Sequence, residues 1–153
     1  MYHKYMTINN IPIHKDEDFE GMRNAGKLVA FILDKLENLI KPGISTLEIN
    51  DYCHNIIIKN NAIPAPLNYK GFPKSICTSV NHVVCHGIPS ENKILNNGDI
   101  INVDVTVILD GWHGDSSRMF VEGKTNKKIF NLMKTTYEFL LLVIKNAKTV
   151  ILL

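Results

Sequence analysis

Residues 100–121 read IINVDVTVILDGWHGDSSRMFV, and they set the architecture of the chain. Two runs rich in β-branched and apolar residues flank Asp110 and Gly111, a pair that readily adopts the positive φ angles of a tight turn. The stretch therefore predicts a β-hairpin made of two long antiparallel strands.

The register of this hairpin brings two carboxylates together. If Asp110 and Gly111 form a two-residue turn, Thr106 pairs with Asp115, and Asp104 lies two residues further along the same face. Such diagonal neighbours are roughly 7 to 8 Å apart at the backbone, a span that two aspartate side chains can close around a cation.

Asp104 lies within a run apolar enough for a strand covered on both sides, where a bare carboxylate is costly. Three kinds of partner would offset that cost: a divalent metal shared with Asp115, a salt bridge to Arg118 or a lysine, or backbone N–H groups. The residue pattern by itself leaves all three open.

Length and composition are those of a globular protein. The chain has 153 residues, 45% hydrophobic and 21% charged, which predicts a single domain around one core. A net charge of +2, without a concentrated Lys/Arg cluster, argues against nucleic acid as a partner. Three cysteines without a Cys-x-x-Cys pair favour a reducing compartment. With no secretory signal and no membrane span in the sequence, we expect a cytoplasmic protein without a membrane partner.

Two helices are predicted in the first part of the chain. Apolar residues at intervals of three and four run from Asp16 to Ile40, with acidic residues in the first turn. The pattern from Ser45 to Glu48 is typical of a capping box and predicts a second helix that ends near Lys59.

A third helix is predicted near the end of the chain. Thr125 or Asn126 caps it, and its apolar stripe within residues 129–144 predicts packing against a sheet. Residues 1–15 are expected to form an N-terminal arm. Helices together with the antiparallel hairpin predict an α+β fold.

Residues 74–89 predict a second hairpin that turns near Asn81 and His82. At such a turn His82 is expected to be a surface residue. His86 precedes Gly87 at the end of the second predicted strand, from which its side chain can reach into a cleft. The same pattern also fits a hydrogen-bonded structural histidine.

Three segments stand in the order and at the spacing of motifs in a known family: residues 68–77 (NYKGFPKSIC), 81–89 (NHVVCHGIP) and 102–120 (NVDVTVILDGWHGDSSRMF). Through them the chain resembles the type I methionine aminopeptidases, from about residue 16 to residue 145. The resemblance implies the first half of a pita-bread fold, an antiparallel sheet packed by amphipathic helices. It also implies a metal-dependent enzyme that removes the initiator methionine from nascent proteins, so the implied partners are N-terminal methionine peptides and the ribosome.

The resemblance further implies a role for individual residues. Asp104 and Asp115 match the family's first two metal ligands, and His86 matches the catalytic histidine that contacts the substrate. Tyr69, Phe72 and Cys77 match positions that line the pocket for the methionine side chain. The complete family site holds two divalent ions, with Co, Mn, Fe(II) and Zn as the candidates. Hard oxygen ligands suit Mn, Fe(II) or Co, and the ions activate a water for attack on the peptide carbonyl.

The sequence departs from the family where three further ligands, one His and two Glu, are expected. It has no histidine after His113, and its only glutamates after Asp115 are Glu122 and Glu138. Neither glutamate lies in a matching context, so both are expected to be solvated or salt-bridged. His113 shares a strand face with Asp115 and is a weaker candidate for a local ligand.

Two hypotheses of different classes follow. The chain is either a methionine aminopeptidase sequence completed by a separately encoded C-terminal half, or a truncated, non-catalytic remnant or binding module of the same fold. Under both, we expect the chain alone to be inactive and to bind metal weakly. A third hypothesis, an Xaa-Pro peptidase, is disfavoured by the pocket-like segment at residues 69–77.

Overall fold

The computed structural model describes residues 14–121 and 123–147. The elements in chain order are α1 (Asp16–Leu36), α2 (Thr46–Lys59), β1 (Ile63–Pro64), a 3-10 turn (Tyr69–Gly71), β2 (Cys77–Val80), β3 (Ile100–Leu109), β4 (Trp112–Val121) and α3 (Lys127–Asn146). Of the predicted N-terminal arm, residues 1–13 lie outside the described residues.

Strand β3 is the centre of the sheet. It pairs antiparallel with β4 along its whole length, while β1 and β2 share its other edge. Asp110 and Gly111 have φ angles of 50° and 84° and form the turn between β3 and β4. Thr106 pairs with Asp115, so the predicted hairpin and its register are confirmed.

One face of the sheet forms the core with α1. Every second residue of β3 is fully buried on this face: Ile101, Val103, Val105 and Val107. Helix α1 packs across β3 and β4, and it approaches closely because Gly114 has no side chain. A Cβ atom at Gly114 would lie 2.5 Å from the Ala25 carbonyl oxygen. Burying each such Val or Ile contributes about 1.5–3 kcal/mol, so this face holds the fold together.

The other face of the sheet, which carries Asp104, is open in the described part of the chain. Residues Asn102, Asp104 and Thr106 are only half-buried. The sequence predicted a strand covered on both sides, and the described residues cover only one. The side chains on the open face are therefore available to line a site.

Helix α2 confirms the capping prediction. The Ser45 Oγ accepts from the Glu48 N–H at 3.1 Å, and the Glu48 carboxylate accepts from the Ser45 N–H at 2.8 Å. The predicted end of α1 is wrong by about one turn: the pattern extended to Ile40, and the helix ends at Leu36. Turns take the chain from there to Gly43, whose φ angle is 95°.

The predicted hairpin at residues 74–89 is wrong in its second strand. Residues 77–80 form β2, which pairs with β3, and no strand forms at residues 81–89. The free edge of β3 offers β2 a four-residue ladder, whereas positive φ angles at Asn81 and His86 interrupt an extended return strand.

Helix α3 is capped by Asn126, whose Oδ1 accepts from the Ile129 N–H at 3.0 Å. The prediction that α3 packs against a sheet is wrong for the described residues, since no residue of α3 is buried and Leu132 and Phe139 are 65% and 64% exposed. Helix α1 already covers the apolar face of the sheet, which leaves α3 no second apolar surface within the described part of the chain. Across residues 14–121 and 123–147, no helix has both the length and the apolarity to cross a membrane.

Candidate active site

A cavity of about 750 Å³ opens on the face of the sheet that points away from α1. Strands β2, β3 and β4 form one wall, and the turn around residues 65–73 forms another. All six residues selected from the sequence line this cavity: Tyr69, Phe72, Cys77, His86, Asp104 and Asp115. Long-range folding thus brings together residues that are as far as 46 positions apart in the chain (69 to 115).

Asp104 and Asp115 form an acidic pair in the cavity. Burial raises the pKa of Asp104 above its ordinary value, the neighbouring Asp115 carboxylate raises it further, and His86 acts in the opposite direction. Because Asp104 and Asp115 are neighbours, their carboxylates repel each other when both are ionised. A cation between them would relieve the repulsion.

Arg118 does not neutralise this pair. Its guanidinium bonds the Asp34 carboxylate at 2.8 Å and the Glu37 carboxylate at 3.0 Å, both at the α1 side of the sheet. Within residues 14–121 and 123–147, no ion pair joins Asp104 or Asp115 to a lysine or arginine. Of the three partners considered for Asp104, the Arg118 salt bridge is therefore excluded.

Thr106 holds Asp115 in place. Its hydroxyl donates to the Asp115 Oδ1 at 3.0 Å across the β3–β4 pair. One oxygen of Asp115 is thus engaged. Thr106 was not predicted from the sequence to belong to the site, although the register that pairs Thr106 with Asp115 could have identified it.

His86 reaches the cavity from a strained backbone. Its φ angle is 55°, which is uncommon for a residue other than glycine. Gly87 beside it packs on β2, where its carbonyl accepts from the Thr78 N–H at 2.8 Å. A Cβ atom at Gly87 would lie 2.0 Å from the Thr78 carbonyl oxygen, so only glycine fits. Strain of this kind concentrates at functional sites.

Tyr69, Phe72 and Cys77 supply the less polar wall. The turn that carries the two aromatic residues is closed by the Asn68 N–H, which donates to the Phe72 carbonyl at 2.8 Å. Cys77 is buried, and its pKa is raised to about 11, first by burial and then by Asp104, Cys85 and Asp115. The Cys77 thiol therefore stays neutral at pH 7, a soft and weakly polar surface next to two rings.

Two carboxylates match only part of the coordination shell of a divalent ion. They are hard oxygen donors of the right class. In the described portion of the chain, however, no group of three or more His, Cys, Asp or Glu side chains is arranged to hold a metal. His113 lines the cavity but does not extend the pair to such a group. Glu138 lies on α3 with its carboxylate 3.7 Å from the Lys134 ammonium, and Glu122 lies outside the described residues.

Lys70 also lines the cavity and is not among the site residues predicted from the sequence. Its φ and ψ angles are 48° and 33°, in the left-handed region that glycine and asparagine tolerate best. No pattern in the sequence marks this conformation, because a lysine between Tyr69 and Gly71 resembles an ordinary surface residue.

The comparison with family profiles identifies one match. The profile of metallopeptidase family M24 matches residues 20–151, which is most of the chain. Among curated proteins, the methionine aminopeptidase of Rickettsia prowazekii is 60% identical over 128 residues, which cover 84% of this chain and 49% of that protein.

Solved structures agree with the sequence comparison. The crystal structure of the R. prowazekii methionine aminopeptidase superposes with a TM-score of 0.83 over 86% of this chain and 52% of that one. The methionine aminopeptidase of Thermotoga maritima, 33% identical, gives a TM-score of 0.87 over 90% of this chain and 55% of that one. The resemblance and the pita-bread, α+β fold class indicated by the sequence motifs are confirmed.

The chain spans about half the length of the curated relatives that it matches. The family profile matches this chain from residue 20 to residue 151. The part of the relatives that has no counterpart here is therefore about as long as the part that has one.

Proposed function

The chain belongs to metallopeptidase family M24, and we therefore propose that it carries the first half of a methionine aminopeptidase active site. The proposed reaction is the removal of the initiator methionine from nascent proteins. One observation carries the proposal: the acidic pair and the wall of Tyr69, Phe72 and Cys77 face the same cavity. A reacting peptide bond beside the pair would leave the methionine side chain within reach of that wall.

In this proposal Asp104 and Asp115 are metal ligands, and the Thr106 hydroxyl orients Asp115 through its 3.0 Å hydrogen bond. Two divalent ions (Co, Mn, Fe(II) or Zn) would polarise the peptide carbonyl and lower the pKa of a water molecule. His86 is the residue that contacts the substrate near the reacting bond. Cys77, whose raised pKa keeps its thiol neutral, contacts the methionine thioether without adding a charge to the pocket.

We further propose that a C-terminal half completes the site. Two carboxylates leave the coordination of two ions unfinished, and the matched part of this chain covers only about half of each relative. Helix α3 presents apolar side chains such as Leu132, Phe139 and Leu140, each at least half exposed. These side chains offer a docking surface for the missing half. Substrate peptides would be presented in the cytoplasm, at the ribosome.

Complementation tests the proposal. The chain is co-expressed with the second half of the R. prowazekii relative, and methionine release from Met-Ala-Ser is measured with Mn, Fe(II) or Co. We expect no turnover by the chain alone, and turnover by the pair that a chelator abolishes.

Asp115→Asn should abolish turnover by the pair, because it removes the negative charge of a metal ligand and keeps nearly the same side-chain shape. Asp110→Asn is the matched control, since Asp110 lies in the β3–β4 turn outside the cavity and its positive φ angle suits asparagine. Turnover that survives Asp115→Asn would contradict the assignment of the ligand.

A truncated remnant or binding module is the second candidate. It is favoured by the absence of a three-ligand group from the described residues and by the uncovered apolar side chains of α3. The nucleotides that follow the codon of Leu153 distinguish the two candidates. In the family that the chain resembles, the further histidine ligand lies in a Gly-His-Gly-Ile-Gly-like segment. Such a segment followed by two glutamate motifs, in any reading frame, favours the completed enzyme, and its absence favours the remnant.

A further inference from the structure

Lys70 places a positive charge at the wall of a cavity whose acids are Asp104 and Asp115. Its ammonium lies 5.4 Å from the centroid of the Tyr69 ring. Within residues 14–121 and 123–147, no ion pair joins Lys70 to a carboxylate. The cation is thus directed along the aromatic part of the cavity and has no acidic partner there.

The backbone at Lys70 has a conformation that few residue types adopt easily. Lys70 and Gly71 have φ angles of 48° and 83°, and the turn is closed by the bond between the Asn68 N–H and the Phe72 carbonyl. Glycine or asparagine would adopt the angles of Lys70 at lower cost. The closed turn therefore fixes Lys70 at the cavity wall between Tyr69 and Phe72.

We propose that Lys70 is a specificity-determining residue that favours peptides with an acidic third residue. The inference rests on the proposed function, because it takes the N-terminal methionine to lie against Tyr69, Phe72 and Cys77. From there an extended peptide advances about 3.3 Å per residue, so its third side chain is roughly 7 Å beyond the first. A lysine side chain next to Tyr69 spans such a distance to a carboxylate at the mouth of the cavity.

Ligand-observed NMR on the chain itself tests this inference. The probes are Met-Ala-Glu and Met-Ala-Gln, both amidated so that no terminal carboxylate competes. Wild-type chain should bind the Glu peptide about two- to five-fold more tightly than the Gln peptide at low ionic strength, as expected for an exposed ion pair. High salt should reduce the difference.

Substitutions of Lys70 distinguish an effect of its charge on peptide binding from an effect on folding. Lys70→Met should remove the preference, Lys70→Arg should retain it, and Lys59→Met, an exposed lysine on α2 outside the cavity, should leave it unchanged. Equal binding of the two peptides by wild-type chain, or a preference that survives Lys70→Met, overturns the role of Lys70 alone. Failure of both peptides to bind also overturns the role of Lys70, whereas the proposed function is tested separately by turnover of the complemented pair.

Discussion

The two faces of the β3–β4 hairpin have different tasks. The face toward α1 is apolar and closed, with Ile101, Val103 and Val105 fully buried. The opposite face is half-open and carries Asp104 beside Asp115. Stability and chemistry are thus separated across a single strand, so neighbouring residues of β3 should respond very differently to substitution.

The largest expected effect is on the closed face. Ile101→Ala removes a fully buried side chain and leaves a cavity in the core, so it should lower the free energy of unfolding by about 2–5 kcal/mol. Thr106→Ala on the open face removes one hydrogen bond and should cost only about 0.5–1.5 kcal/mol. Urea unfolding measures both. Equal losses would contradict the separation of the two faces.

The contact between α1 and β4 gives the next effect. Gly114→Ala forces a methyl group into the Ala25 backbone and should destabilise the chain by about 1–3 kcal/mol. Gly26→Ala is the matched control, because nothing lies within 4 Å of a Cβ atom there and α1 gains a better helix former. That control should stabilise by about 0.5–1 kcal/mol. Unfolding of the two variants under the same conditions checks the sign of each effect.

The Asp104 carboxyl on the open face should make the free energy of unfolding depend on pH. The pKa of Asp104 in the folded chain is raised above its ordinary 3.8, so the native state takes up a proton more readily than the unfolded chain. The free energy of unfolding therefore falls as pH rises from about that ordinary value through the folded-state pKa, and it stays lower above it.

Asp104→Asn removes this loss. With a chelator present, the variant should be more stable than wild type at neutral pH. The advantage should disappear at acidic pH, where the Asp104 carboxyl of the wild type is protonated in both the folded and the unfolded state. Urea unfolding at several pH values measures the difference. A variant that is less stable than wild type at neutral pH would mean that a partner stabilises the ionised Asp104 carboxylate.

The smallest effect is expected on α3, which covers neither face. Leu140 is 51% exposed, so Leu140→Ala should change the stability of the chain alone by less than about 0.5 kcal/mol. The same substitution should weaken association with a C-terminal half, which sedimentation of the mixture can detect. A large loss of stability in the chain alone would show that α3 already has a packing partner.

Local patterns predicted the elements that depend on local interactions. Asp110 and Gly111 set the register of β3 and β4, and the capping box at Ser45 set the start of α2. The same register was enough to predict that Asp104 and Asp115 share one face of the sheet. The position of His86 before Gly87 suggested that its side chain could reach a cleft, and the resemblance added Tyr69, Phe72 and Cys77. All four residues line the cavity.

Predictions failed where two segments compete for one surface. Residues 74–89 were predicted to form a hairpin that turns near Asn81 and His82, but the free edge of β3 pairs with residues 77–80 instead. The stripe of α3 is as amphipathic as that of α1, yet α1 occupies the only apolar face of the sheet within the described residues. Sequence periodicity indicates that a face is apolar, and the topology decides what covers it.

The affinity for Mn(II), measured by isothermal titration, tests whether Asp104 and Asp115 are half of a metal site. The chain alone should bind weakly, and addition of the C-terminal half of the R. prowazekii relative should tighten binding at least tenfold, a gain that Asp115→Asn abolishes. Tight binding by the chain alone that is unchanged in the Asp104→Asn, Asp115→Asn double variant would show that the metal site lies elsewhere.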